Sequence, residues 1–178
     1  MQILAISGSL RAASTNTILL EAAASLAPEE VTLRIYDGLG DLPHFNPDLD
    51  KEPPHAAVAE FRFQLRKSAG IIISTPEYAH GVPGVLKNAL DWLVASGELY
   101  EKPVALFSAS PRANYAQASL IETLNVMTAR VVLEACIALP LLGKSLDKHG
   151  IVSEPDLSGT IRSALRAFAL ATSIHGRQ

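Results

Sequence analysis

Short runs of β-branched and apolar residues alternate with longer stretches of helical period along this chain, and that alternation restricts the fold more than any other feature. The runs fall at 2–6, 31–36, 70–74, 104–107 and 129–133. Between them lie apolar stripes at helical spacing: Leu19, Ala23 and Leu26; Leu86, Ala89, Leu90 and Leu93; Leu120, Leu124 and Met127; Ile161, Leu165 and Phe168. Residues 55–67 read as a further helix, with Val58, Phe61 and Leu65 on one side. Strands that alternate with helices predict a parallel sheet covered on both faces. Ile71-Ile72-Ile73 and Ala105-Leu106-Phe107 are apolar throughout, as strands buried on both faces must be.

Length and charge narrow the class. With 178 residues, 48% of them apolar, one domain with a sizeable core is expected, and the balance argues against disorder. The net charge is −3 and no basic stripe occurs, which argues against nucleic acid as a partner. The apolar stretch 131–142 is broken by Glu134 and Pro140 and is too short to span a bilayer. The opening apolar run is too short for a signal peptide, and a lone cysteine, Cys136, forbids an intrachain disulfide. Cys136 reads as a buried core thiol, and the expected location is the cytoplasm.

In an open parallel sheet of order 2-1-3-4-5, ligands bind at the carboxyl ends of the strands, where the order reverses between strands 1 and 3. The loop 7–17, Ser-Gly-Ser-Leu-Arg-Ala-Ala-Ser-Thr-Asn-Thr, leaves strand 1 there and enters a helix. It offers Ser9, Ser14, Asn16 and Thr17 as hydrogen-bonding side chains and Arg11 as a fixed positive charge. The free amides and dipole of a helix start favour an anion at that place. Arg11 taken alone would read as a solvated surface charge.

The loop 75–84, Thr-Pro-Glu-Tyr-Ala-His-Gly-Val-Pro-Gly, is stiffened by two prolines and suits a flat polar ring, with Tyr78 or His80 beside one face. The loop 108–115 could close the pocket from the other side; taken alone, it reads as a helix start with Ser or Asn as N-cap. The stretch 37–54, rich in Gly, Pro and Asp, is either a functional loop or a surface excursion. His44, His55, His80, His149 and His175 show no metal-ligand spacing. No Gly-x-x-x-x-Gly-Lys motif and no Gly-x-Gly-x-x-Gly after strand 1 are present, so neither a nucleoside-triphosphate loop nor a Rossmann crevice is expected.

Gly8-Ser9-Leu10-Arg11-Ala12-Ala13-Ser14-Thr15-Asn16 resembles the phosphate loop of the NADPH-dependent FMN reductase family. Pro76-Glu77-Tyr78, followed by Pro83-Gly84-Val85-Leu86-Lys87-Asn88-Ala89-Leu90-Asp91-Trp92, is similar to that family's second signature. The resemblance implies a flavodoxin-like α/β three-layer sandwich, with a five-stranded parallel sheet in the order 2-1-3-4-5. It implies FMN as cofactor, NADPH or NADH as hydride donor, and free flavin, quinones, azo compounds or metal oxyanions as acceptors. It assigns Ser9, Arg11, Ser14, Asn16 and Thr17 to the FMN phosphate. Pro76, Glu77, Tyr78, His80 and Gly81 would line the flavin ring, with Ser108 and Ser110 facing its far side. A homodimer or homotetramer is also implied.

Three departures from the family pattern stand out. Ala79 occupies the place of a frequent Asn, His80 that of a small or aromatic residue, and Ser-Pro-Arg that of a Gly-rich third loop. No side-chain acid or base is required, because hydride passes between cofactors and the loop amides near 78–81 would stabilise the reduced ring. A flavodoxin-like electron carrier is the alternative; such carriers tend to be strongly acidic, with no arginine in the phosphate loop. The helix 85–93 carries Val85 and Trp92 off its main apolar stripe, which suggests burial against a second subunit or a larger helix interior.

Overall fold

Side chains on successive strand residues point to opposite faces, and here both faces are covered by helices. The computed structural model describes residues 1–175. Its strands are β1 (Gln2–Ser7), β2 (Thr32–Tyr36), β3 (Gly70–Ser74), β4 (Pro103–Ser108), β5 (Arg130–Val131) and β6 (Ile137–Ala138). Its helices are α1 (Thr15–Leu26), α2 (Ala56–Lys67), α3 (Gly84–Asp91), α4 (Asn114–Val126), α5 (Lys148–Ser153) and α6 (Pro155–His175). All strand pairs are parallel, in the order β2-β1-β3-β4-β5, with β6 also on β4. The expected order is the observed one.

The strand pleat sorts the core into two layers. Ile3, Ala5, Ile72, Ala105 and Phe107 pack with residues of α1, α5 and α6. Leu4, Ile6, Ile71, Ile73, Val104 and Leu106 pack with residues of α2, α3 and α4. β3 and β4 are buried along their whole length, which is why they carry no polar alternation.

Only β3 keeps its expected bounds: β1 runs one residue further and β4 one residue further at each end, and the second and fifth strands are shorter than expected. The second strand starts at Thr32, because the Val31 amide donates to Pro28 O at 2.9 Å and closes a turn. The fifth strand is split. β5 is only two residues long, and the chain then makes a helical turn at Leu133–Ala135 that sinks Ala135 into the core before β6 rejoins β4.

Stretch 37–54 is fastened to α3. Asn88 Nδ2 and Trp92 Nε1 both donate to Pro43 O, at 3.0 and 2.8 Å, and Asn88 Oδ1 accepts from the Phe45 amide at 2.7 Å. The Phe45 ring stands edge-on to Trp92 with centroids 5.1 Å apart. Arg62 ties the far end, donating to Asp50 Oδ2 at 3.0 Å and Trp92 O at 2.6 Å. The apolar excess on this helix is therefore covered within the chain: Trp92 is 1% exposed and Val85 packs against the core. The case for a second subunit there loses that support.

Candidate active site

The carboxyl ends of β1, β3 and β4 open onto a cleft of about 220 Å³, lined by residues that include Asn16, Thr75, Pro76, Glu77, Ser108 and Ser110. A second cleft of about 460 Å³ adjoins it, with Leu142 in the wall of both and Arg11 in the second. The first alone lies below the usual range for small-molecule sites and the second lies within it, with the Leu142 side chain between them.

The loop from Gly8 to Ser14 is built to expose amides. Gly8 passes so close to the end of β3 that its amide donates to Ser74 O at 2.8 Å, and a Cβ there would meet Thr75 Oγ1 at 2.4 Å. Only glycine fits. Ser14 is the N-cap of α1 and accepts from the Thr17 amide at 3.4 Å. The amides of Ala12, Ala13, Ser14, Thr15 and Asn16 find no acceptor among the described residues. They form a row of donors at the positive end of a helix dipole.

Besides Ser14, Ser9 in the loop and Asn16 and Thr17 in the first turn of α1 have side chains held by hydrogen bonds. Asn16 is buried, and its Oδ1 accepts from Ser74 Oγ at 3.0 Å, which leaves its Nδ2 as the free donor toward the cleft. Thr17 Oγ1 lies 2.8 Å from Ser7 Oγ, tying α1 to the end of β1. Ser9 Oγ accepts from the Arg11 amide at 3.4 Å. Neither Arg11 nor Arg112, the two guanidinium groups at these clefts, meets a carboxylate among the described residues.

The loop after β3 folds into a tight turn. Tyr78 and Gly81 exchange backbone hydrogen bonds, both 2.9 Å, across Ala79 and His80, whose φ angles are 48° and 61°. Two successive positive φ values mark a type I′ turn, whose preferred residues are Asn and Gly. The Tyr78 and Gly81 amides are thus consumed within the turn, contrary to the expectation that they face the reduced ring. The amides of Ala79 and His80 remain available. Position 79 favours Asn for backbone reasons, independent of any contact it makes to a ligand.

The third loop is also rearranged from expectation. The N-cap of α4 is Ala113, with no side-chain cap of its own. Glu77 supplies it, Oε2 accepting from the Ala116 amide at 2.9 Å. Ser108 Oγ donates to Ser110 O at 2.7 Å and accepts from the Ser110 amide at 3.2 Å, and Ser110 Oγ accepts from the Arg112 amide at 3.1 Å. Cys136, expected in the core, is half-buried at its edge; burial raises its thiol pKa, and Sγ accepts from the Leu106 amide at 3.3 Å. His55 caps α2 through Nδ1; the side chain of His175 lies outside the described residues.

The sequence pattern of the NADPH-dependent FMN reductases matches residues 1–141, which hold both loops and the sheet. The chain belongs to the NADPH-dependent FMN reductase family. A quinone reductase of Pseudomonas putida is 40% identical over 111 residues, 60% of this chain and 58% of that protein. The NADH:(hydroxy)cinnamate reductase subunit CrdA of Vibrio ruber is 33% identical over 183 residues, covering 98% of this chain and 88% of its own. Among solved structures, the flavoenzyme NAD(P)H:(acceptor) oxidoreductase FerB of Paracoccus denitrificans superposes with a TM-score of 0.85 at 27% identity, over 98% of each chain. The match with the quinone reductase spans a little under three fifths of that relative's length.

As a member of the FMN reductase family, the chain has the expected flavodoxin-like arrangement. Of the residues singled out from sequence, Asn16, Pro76, Glu77, Ser108 and Ser110 share the first cleft and Arg11 lies in the second. Ser9, Ser14, Tyr78, His80 and Gly81 stand in the flanking loops and Thr17 in the first turn of α1, and none of them lines either cleft. Sequence reasoning missed Leu142 and Thr75. Leu142 follows the split fifth strand, where no motif marks it; Thr75 could have been found from its place at the end of an apolar strand. No described helix is long and apolar enough to cross a membrane.

Proposed function

We infer that this chain is an FMN-dependent NAD(P)H oxidoreductase that reduces a small acceptor such as a quinone. The supporting observation is the run of unpaired amides from Ala12 to Asn16, beside an unpaired Arg11 and at the edge of the two adjacent clefts. A phosphate dianion is what such a donor row and cation suit, so the residues fit FMN. The overall reaction is NAD(P)H + H⁺ + quinone → NAD(P)⁺ + hydroquinone.

When bound, FMN supplies two-electron acceptance from the nicotinamide and release to the acceptor. The protein's part is binding and electrostatics. Arg11, the hydroxyls of Ser9 and Ser14 and the amides of residues 12–16 would hold the phosphate. Asn16 would add its Nδ2, and Thr17 would act by fixing the helix start against Ser7. Pro76, Glu77 and the turn 78–81 would wall one side of the ring, with Ser108 and Ser110 on the other. The free amides of Ala79 and His80 would oppose negative charge on the reduced ring. Family resemblance favours a homodimer or homotetramer, which size-exclusion chromatography tests directly.

Flavin absorbance after FMN addition, followed by stopped-flow mixing with NADPH, tests the reading. Binding followed by rapid bleaching is the expected result. Bound flavin that NADPH leaves oxidised would assign the chain to electron carriage, and failure to bind would remove the redox function.

A further inference from the structure

The tip of the 78–81 turn and the start of α4 meet through two rings. His80 stacks on Tyr115 with centroids 4.2 Å apart and planes 23° from parallel. Both rings reach the surface: Tyr115 is 60% exposed, and Tyr78 at the other arm of the turn is 56% exposed. At the base of the same turn, Glu77 caps α4 and fixes the two walls relative to each other. His80 holds a left-handed backbone conformation as the second central residue of the type I′ turn, which puts its ring at the tip. Such conformations persist where the surroundings enforce them, and they gather at ligand clamps. Exposed aromatic rings grouped beside a cleft are a surface on which a flat ligand can stack.

We propose that the His80–Tyr115 pair is the landing platform for the flat, electron-poor ring of the oxidised acceptor, and that Tyr115 sets acceptor choice without taking part in flavin binding. The proposal rests on the reductase reading above. A quinone ring is depleted of π-electron density, whereas phenol and imidazole rings are rich in it, so offset stacking between them is favoured. The acceptor gains two electrons as a hydride equivalent from the nicotinamide donor and one proton from solvent, and leaves as the hydroquinone. A compact inorganic acceptor such as ferricyanide has no face to stack and gains nothing from the platform.

Two measurements test this on the full chain, with tetramethyl-1,4-benzoquinone as probe because its blocked ring positions cannot add to the Cys136 thiol. In steady-state kinetics, Tyr115→Ala is expected to raise KM for the quinone about fivefold or more, and Tyr115→Phe to restore it. KM for ferricyanide, the FMN dissociation constant and the rate of flavin bleaching by NADPH should stay within about twofold. In NMR on protein without added flavin, the quinone should shift the ring signals of His80 and Tyr115, and Tyr115→Ala should abolish the effect at His80. An unchanged quinone KM in Tyr115→Ala, or equal losses for both acceptors, overturns the proposal. Should the wild type fail to bind FMN, the reductase reading falls, and the NMR titration still decides whether the platform exists.

Discussion

Glu77 Oε2 accepts the amide hydrogen of Ala116 at 2.9 Å, so a residue of the loop after β3 caps a helix whose bonded amide lies 39 residues further along. The carboxylate sits at the positive end of α4, where Ala113 offers no side-chain cap. Glu77→Ala is expected to cost about 1–2 kcal/mol, and hence to lower the melting temperature by roughly 2–8 °C for a chain of this size. Glu77→Gln keeps an acceptor and should lose less. Thermal melting monitored by circular dichroism decides it; an Ala variant that melts with the wild type would refute the cap.

Ala79 is a residue with a Cβ in a conformation that disfavours one. At φ 48° it occupies the first central position of the turn closed by Tyr78 and Gly81. A left-handed conformation costs an ordinary L-residue roughly 1–2 kcal/mol, and Asn tolerates it better. Ala79→Asn should therefore raise the urea midpoint, by a stability gain of about 0.5–1 kcal/mol. Ala79→Val, β-branched in the same conformation, should lower it. Identical midpoints for all three proteins would remove the strain argument.

The charge at Arg11 is the part of the phosphate site most open to measurement. Its guanidinium meets no carboxylate among the described residues and lines the cleft beside the amide row. A hydrogen bond to a charged group is worth about 1.5–3 kcal/mol, so Arg11→Ala should weaken FMN binding by about tenfold or more. Flavin fluorescence quenching gives the dissociation constant. Arg11→Lys should fall between, because an ammonium keeps the charge and loses the fork. An unchanged constant in the Ala variant would take Arg11 out of the site.

Strand order and the place of the site were legible because β3 and β4 carry no polar residue among Ile71–Ile73 and Val104–Phe107, a pattern that only a doubly covered strand tolerates. The phosphate loop was legible because Gly8 and the polar residues after it are local in sequence. What escaped was long-range. Nothing near Ala113 announces that Glu77 will cap α4, and nothing in 37–54 announces that Asn88 and Trp92 will hold Pro43. The sequence shows Trp92 only as an apolar residue off the stripe, which reads as spare surface until the covering segment is seen. The break in the fifth strand is equally hidden, since it depends on Ala135 fitting a space that α6 creates.

Tyr36 links stability to alkaline pH. Burial, followed by the charges of Glu60, Asp41 and Asp37, pushes its phenol from the ordinary 10.0 up to about 12. Between those values the folded chain holds a proton that the unfolded chain has released, so folding stability falls as pH rises. The contribution is fully present below pH 10 and lost as pH climbs through 12. Lys102 acts with the opposite sign. Burial lowers its pKa from 10.5, against the pull of Glu98, while its ammonium donates to Leu65 O and Ser68 O at the end of α2. In the window below 10.5 the unfolded chain binds the extra proton, so that component makes stability rise with pH. Tyr36→Phe keeps the ring against Phe61, 5.0 Å between centroids, and removes only the titrating hydroxyl. Urea unfolding between pH 9 and 12 should therefore show a shallower decline in the variant, and parallel curves would mean that the phenol is not what titrates.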